Sequence, residues 1–266
     1  MKAGRLFETH FKFTVFTPMT LRALIFDVDG TLANTERDGH RPAFNAAFAE
    51  VGLSWHWDES FYGSLLDVAG GRERIRHYAE RFDPATCERE DFEQLLSRVH
   101  EISTRNYQRL LSAGAIPLRG DIGRLVCDAR TEGVRLAIAS SSGRQNVVGL
   151  LRANLGPEAD SWFDVIATGE IVAAKKPAPD LYLWVLKALD LPAHDCLAVE
   201  DSAHGLAASL AAGIPTVVTV SDYTSEEDFD GARMVLTQAQ RFTFDQLQLW
   251  HASADLSNPV SKRAAS

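Results

Sequence analysis

The chain has 266 residues and a formal net charge of −9. That length holds one large or two modest domains with a real core, and no apolar run is long enough for a membrane span. The acidic balance and the absence of any Lys/Arg block argue against a nucleic-acid surface. The three cysteines, Cys87, Cys127 and Cys196, are too scattered for a disulfide framework or a zinc site, so a reducing, cytoplasmic setting is expected.

Residues 1–20 form an N-terminal extension interrupted by Lys2, Arg5, Glu8 and Lys12. It lacks the apolar core of a signal peptide. Met19 immediately precedes the first strand, and translation is expected to start there, with residues 1–18 dispensable. The next stretch, Leu24-Ile25-Phe26-Asp27-Val28-Asp29-Gly30-Thr31, begins as a continuous apolar run of the kind that makes a parallel strand buried on both faces. It then breaks into two carboxylates and a glycine that lets the chain turn sharply. In an open α/β sheet, ligands sit outside the carboxyl ends of the strands. Asp27 and Asp29 would stand there. Two neighbouring acids repel unless a cation holds one or a proton stays on the other. That suits an attacking carboxylate beside a proton-carrying carboxyl, with a hard cation on the first. Asp-x-Asp-Gly is also ordinary turn chemistry, so the rest of the chain must decide.

From Leu32 to Pro117 the pattern is helical, with no strand signal. Ala43, Phe44, Ala47, Phe48 and Val51 share a face, closed by Gly52. Trp55, Trp57, Phe61, Tyr62, Leu65 and Leu66 give a short helical piece in which the tryptophans are read as core. Gly70-Gly71-Arg72-Glu73-Arg74 interrupts, and Ile75 to Phe82 resumes as helix. Asp83-Pro84 starts another, and Phe92, Leu95, Leu96, Val99 and Ile102 continue a stripe toward Leu111. So many helices after a first strand imply an inserted subdomain. From Leu118 helices and strands alternate. Helix is expected over Asp121–Thr131, strand over Leu136–Ala139 and around Phe163–Ala167, helix to Leu189, strand over Cys196–Val199, helix after Ser202 to Gly213, and strand over Pro215–Val220. The expected fold is α/β, a doubly wound parallel-sheet core with an inserted all-helical cap. Residues 21–33 and 117–240 make the core, 34–116 the cap and 241–266 a polar C-terminal tail.

Polar residues recur at strand after strand end: Asp27 and Asp29, Ser140, and Glu200-Asp201, with Lys176 on a neighbouring loop. Each alone could be a cap or a solvated charge. Together they supply what phosphoryl transfer to a carboxylate needs: a nucleophile, a proton shuttle, a hydroxyl and an ammonium for phosphate oxygens, and acids for Mg²⁺.

Asp27-Val28-Asp29-Gly30-Thr31, Ser140, Lys176 in Lys-Pro-Ala-Pro-Asp, and Glu200-Asp201-Ser202 resemble the four motifs of the haloacid dehalogenase superfamily, in order and spacing, from Leu21 to about Val235. The resemblance implies that Asp27 forms an aspartyl-phosphate. Asp29 would protonate the leaving alkoxide and then deprotonate the hydrolytic water. Ser140 and Lys176, with Ser141 and Arg144 beside them, would bind substrate. Asp27, the backbone carbonyl of Asp29, and Asp201 would bind Mg²⁺, with Glu200 assisting. Dehalogenases proper lack the second acid, so Asp29 argues against carbon–halogen chemistry.

Within the inserted helices, Glu36-Arg37-Asp38-Gly39-His40-Arg41, Ala43-Phe44-Asn45 and Gly70-Gly71-Arg72-Glu73-Arg74-Ile75 are similar to the CbbY-type branch. Members of that branch dephosphorylate xylulose-1,5-bisphosphate, a Rubisco-inhibiting by-product of the Calvin cycle. The branch usually has lysine where Arg72 stands, and an acid where Asn34 stands. The resemblance implies that Gly70, Gly71 and Arg72 receive a second phosphate while Glu36 and Tyr62 meet sugar hydroxyls. A small-molecule sugar phosphate is thus the expected partner, with a monomer expected. Three other readings share parts of this pattern. They are a mutase resembling β-phosphoglucomutase, a phosphoglycolate phosphatase and a catalytically silent phosphosugar-binding regulator, which would usually have lost a core acid.

Overall fold

The computed structural model describes residues 20–68, 70–237 and 242–253. The expectations placed on residues 1–18, on Met19 and on the chain beyond 253 lie outside the described residues. Among the described residues, six strands form one parallel sheet: β1 (Ala23–Phe26), β2 (Arg135–Ser140), β3 (Val165–Thr168), β4 (Cys196–Glu200), β5 (Thr216–Thr219) and β6 (Met234–Leu236). Their order is β3-β2-β1-β4-β5-β6. The order reverses direction beside β1, which is where open α/β sheets leave a crevice for ligands.

β1 is apolar throughout because both of its faces are covered. Leu24 and Phe26 pack with Leu136, Ile138, Leu197 and Val199 on one side. Ala23 and Ile25 pack with Ala137, Ala139 and Ala198 on the other. Helices α6 (Ile122–Thr131), α7 (Arg144–Leu155) and α10 (Phe244–Ala252) cover the first face. Helix α8 (Asp180–Leu189) and helix α9 (Ala203–Ala211) cover the second. Ser202 caps α9 by accepting from the Gly205 N–H at 3.1 Å, and Gly213 follows the helix with φ +79°.

The inserted segment carries α1 (Arg41–Glu50), α2 (Glu59–Ser64), α3 (Gly71–Phe82), α4 (Pro84–Cys87) and α5 (Phe92–Ser112). Its apolar side chains form their own cluster around Phe44, Phe48, Trp55, Trp57, Tyr62 and Ile75. Both tryptophans are core, as their sequence context suggests. One turn of π-helix, Glu36–His40, leads into α1; such turns interrupt the helical ladder and are frequent at functional sites. Helix α5 serves both halves of the molecule. Phe92, Leu96, Val99 and Ile102 belong to the cap cluster, whereas Tyr107 and Leu111 belong to the sheet's core.

Two elements depart from the sequence reading. The edge strand β6 is three residues long with Val235 exposed, too short to show a period. The stretch read as a tail from 241 carries α10, whose Phe244 and Leu247 are buried in the sheet's core. Leu249 on its outer side is 65% exposed, and that stray apolar residue blurs the helical stripe. Among the described residues, no helix is long and apolar enough to cross a membrane.

Candidate active site

The parallel register sets the site. Phe26 lies opposite Ile138 on β2 and Val199 on β4. The next residue, Asp27, leaves the sheet as its N–H donates to the Val199 carbonyl at 3.0 Å. Its carboxylate is therefore level with Glu200 at the end of β4. The chain then folds back, with Leu32 N–H donating to the Val28 carbonyl at 2.9 Å and Gly30 N–H to the Ala33 carbonyl at 2.8 Å. Gly30 has φ +88°, and a Cβ there would sit 1.9 Å from Asp201 Oδ2. Only glycine lets the first loop and the Asp201 carboxylate approach so closely.

Lys176, on the loop after β3, closes the cluster. Its Nζ donates to Asp27 Oδ1 and to Glu200 Oε1, both at 2.6 Å. Glu200 Oε1 also accepts from the Tyr182 hydroxyl, and Glu200 Oε2 accepts from the Asp201 N–H at 3.3 Å. Both oxygens of Glu200 are thus engaged with protein groups. A Cβ on Gly205 would lie 2.0 Å from Glu200 Oε2, so α9 packs directly under this carboxylate.

Charge in the cluster does not balance. Asp27, Glu200 and Asp201 are buried, and each has an oxygen within 4.8 Å of the others'. Lys176 is the ammonium bonded among them. Burial pushes the Asp27 carboxyl up to about 8; Lys176 pulls it down, while Glu200 and Asp29 push it further up. Burial likewise drives Asp201 well above the carboxylate range, reinforced by Asp27 and Glu200. Burial alone would discharge Lys176, but the facing Asp27 and Glu200 carboxylates outweigh it and hold it as the cation. The uncompensated negative charge and the all-oxygen donor set fit a small hard divalent cation such as Mg²⁺. Asp27 and Asp201 are the acids with capacity to hold it.

Asp29 stands just beyond, amid hydroxyls. Thr35 Oγ donates to its Oδ1 at 2.6 Å, Ser142 Oγ to its Oδ2 at 2.6 Å, and Ser140 Oγ to the same oxygen at 3.3 Å. Hydroxyl rotors can turn from donating to accepting, so the surroundings suit Asp29 with or without a proton. Ser142 N–H donates to Ser140 Oγ at 3.1 Å, which fixes the turn between β2 and α7. Ser141 lies in that turn, with its carbonyl 2.3 Å from where a Gly169 Cβ would be. Arg144 does not join the acids. Its guanidinium reaches the Ile166 carbonyl on β3 at 3.4 Å.

In the cap, Glu36 follows Thr35 directly and accepts from the Tyr62 hydroxyl at 2.5 Å. A buried arginine that sequence reasoning did not select, Arg74, completes the group. It donates to the Tyr62 hydroxyl at 2.8 Å and the Leu65 carbonyl at 3.1 Å, and lies 3.6 Å from Glu36. Adjacent residues thus serve the two groups, Thr35 bonding Asp29 and Glu36 bonding Tyr62. Arg72 is elsewhere. It forks to Glu93 and Ser97 on the outside of α5, at 3.0 Å each. Gly70, with φ +97°, starts α3, and Gly71 packs against Phe44 and His100. Gly70, Gly71 and Arg72 therefore form a helix start and a surface ion pair. The signal for Arg74 was its position two residues on, facing inward beside Ile75, but alternation of charges along the segment hid it. Ser142, Thr35 and Tyr182 were also passed over, because serine, threonine and tyrosine carry no spacing signature.

A family model for haloacid dehalogenase-like hydrolases matches residues 21–213. The plasmid CbbY protein of Cupriavidus necator is 50% identical over 216 residues, covering 81% of this chain and 85% of the relative. The CbbY protein of Rhodobacter capsulatus is 43% identical, covering 80% of this chain and 92% of the relative. A crystal structure of a CbbY mutant from Rhodobacter sphaeroides in complex with xylulose-(1,5)bisphosphate has a TM-score of 0.70 at 41% identity, covering 82% of this chain and 94% of that one. With the parallel sheet, the acid cluster and these matches in agreement, the chain belongs to the haloacid dehalogenase-like hydrolase family, as a phosphatase.

Proposed function

We propose that this enzyme is a Mg²⁺-dependent sugar-phosphate phosphatase that converts xylulose-1,5-bisphosphate to xylulose 5-phosphate through an aspartyl-phosphate on Asp27. The observation that carries the reading is the Lys176 ammonium bonded to Asp27 Oδ1 and Glu200 Oε1 within a cluster of three buried acids. Lys176 orients the Asp27 carboxylate and leaves Oδ2 for attack. A C–O–P ester entering here would form an Oδ2–P bond as the bond from phosphorus to the sugar oxygen breaks. Asp29 delivers a proton to that oxygen, and the sugar leaves as an alcohol. Asp29, now ionised, takes a proton from a water whose oxygen attacks the same phosphorus, which frees phosphate and restores Asp27. Ser140, the turn containing Ser141, and Lys176 hold the phosphoryl oxygens during both steps. A Mg²⁺ held by Asp27 and Asp201, with the Asp29 carbonyl, would supply Lewis-acid neutralisation of phosphoryl charge.

Support for a bisphosphate comes from the cap. Glu36, Tyr62 and Arg74 pair acceptors for sugar hydroxyls with a buried cation, and the relative with xylulose-(1,5)bisphosphate bound is 41% identical. Burial of Arg74 beside Tyr62 and Glu36 supports giving it, rather than Arg72, the second-phosphate role in this reading. The test is phosphate release with Mg²⁺ from xylulose-1,5-bisphosphate, ribulose-1,5-bisphosphate, phosphoglycolate and β-glucose-1-phosphate. Strong preference for the xylulose compound over its ribulose epimer is expected. A flat profile, or preference for a monophosphate, would sink the bisphosphate assignment, and a rearranged sugar phosphate without phosphate release would mark a mutase.

A further inference from the structure

The two linkers that join the cap to the core meet at one peptide of the catalytic loop. On the outgoing side, Asp29 bridges Ala33, and the Gly30 N–H donates to the Ala33 carbonyl at 2.8 Å. On the returning side, Leu118 bridges Ala33 in the antiparallel sense and the Arg119 N–H donates to the Leu32 carbonyl at 2.7 Å. The Arg119 side chain then reaches across the sheet's carboxyl edge. Nη1 donates to the Gly30 carbonyl and, at 3.0 Å, to the Thr219 carbonyl; Nη2 donates to the Val220 carbonyl at 2.6 Å. One guanidinium therefore ties the end of β1 to the end of β5. Between them lies β4, whose end carries Glu200 and Asp201.

A half-buried guanidinium loses hydration, and here backbone carbonyls replace it. The consequence falls on the Asp29–Gly30 peptide. It is planar, so its C=O points opposite to its N–H. With the N–H held by Ala33 and the following carbonyl, that of Gly30, held by Arg119, the Asp29 carbonyl is fixed facing away from the linkers. The same two holds keep the Gly30 Cα against Asp201, where a Cβ would lie 1.9 Å from Oδ2.

We propose that Arg119 is a positioning residue for the metal site, fixing the Asp29 carbonyl and Asp201 relative to each other from the cap's return linker. A lysine in its place keeps the charge but cannot fork to three carbonyls from two loops. The inference rests on the reading of the acid cluster as a Mg²⁺ site, and Mg²⁺ binding can be measured without any turnover.

The experiment is calorimetric titration of the full chain with Mg²⁺, for wild type, Arg119→Lys and Arg119→Gln, with thermal melts alongside. Arg119→Lys is expected to weaken Mg²⁺ binding about tenfold, the scale of outer-sphere metal-site residues. Raising Mg²⁺ should then recover much of the lost kcat while the substrate KM stays within about twofold. Arg119→Gln should weaken binding less, because loss of positive charge near Asp201 favours the cation. A merely structural role would lower the melting temperature and leave the Mg²⁺ dissociation constant unmoved. Mg²⁺ binding as tight in both variants as in wild type, at a temperature where all are folded, overturns the proposal. If wild type hydrolyses no sugar phosphate, the functional reading fails while the titration still decides the role of Arg119.

Discussion

Arg72 and Arg74, one and three residues beyond Gly71 at the start of α3, illustrate how burial divides roles among like charges. Arg72 spans Glu93 and Ser97 with its side chain 43% exposed, a pair of the kind that contributes ~0–1 kcal/mol. Arg74 is buried, bonded to Tyr62 and Leu65 and close to Glu36. Removing a buried charge partner leaves polar groups unsatisfied and costs ~2–4 kcal/mol. Arg72→Ala is thus predicted to leave stability within ~0.5 kcal/mol and to spare bisphosphate hydrolysis. Arg74→Lys, which keeps the charge but loses the fork, is predicted to raise KM for the bisphosphate more than for a small aryl phosphate. Thermal melts and paired kinetics on the two substrates check both, and a selective bisphosphate loss in Arg72→Ala would return the second-phosphate role to that residue. The sequence draws attention to Arg72, whereas the proposed second-phosphate role goes to Arg74, the buried arginine of the same segment. A glycine pair followed by charges does not say which arginine faces inward; Ile75 and Ala79 turning into the cap core decide that. The core acids were legible for the opposite reason. Asp27 and Glu200-Asp201 each end an apolar run, with Asp29 two residues beyond the first, and a parallel sheet brings such ends together whatever the intervening chain does.

Among the elements, α5 and α10 carry lessons that periodicity alone does not. Helix α5 was visible as a stripe, but its division between cap cluster and sheet core follows from tertiary packing on two different partners. Helix α10 buries Phe244, Leu247 and His251 at a three- and four-residue spacing, yet its outward Leu249 and its place near the chain's end made it read as tail. His251 is fully buried, its Nε2 bonded to the His194 carbonyl at 2.8 Å and its Nδ1 without a partner. Burial holds its pKa below the ordinary 6.5, against the opposing pull of the His194 carbonyl and Asp195, while Arg233 and His194 add to the lowering. The folded state favours the neutral ring, so this stabilisation is present above about 6.5 and lost as pH falls below it. Melting temperatures of wild type and His251→Gln should therefore converge as pH is lowered from 7.5 to 5. A gap that stays constant would show that the ring's protonation is not resisted by the fold.

At the scale of the whole molecule, cap and core are joined by more than their two linkers. Arg37, in the π-turn, is paired with Asp222 on the loop after β5. Tyr223 of that loop packs against Tyr62, with ring centroids 6.1 Å apart, and a Gly63 Cβ would come within 2.9 Å of its ring. The cap residues nearest the reacting acids in sequence are thus held down on the core by the same loop that follows Ser221, a residue that opposes the upward push of burial on Asp201. A cap held down over the crevice would exclude water other than the one that must attack in the proposed reaction, and would strengthen each electrostatic contact inside. The fold, the acid cluster and the proposed chemistry all meet at Asp27: the sheet places it, Lys176 bonds to it, and in the proposed mechanism the phosphoryl group passes through it. The most direct measurement is a single-turnover reaction with phosphoryl-labelled xylulose-1,5-bisphosphate and Mg²⁺, quenched in acid and mapped by peptide mass spectrometry. Phosphate on the peptide containing Asp27, appearing before free phosphate and absent from a folded, inactive Asp27→Asn variant, is the expected result. Turnover with no phosphopeptide, phosphate on another residue, or substantial hydrolysis by Asp27→Asn would contradict it.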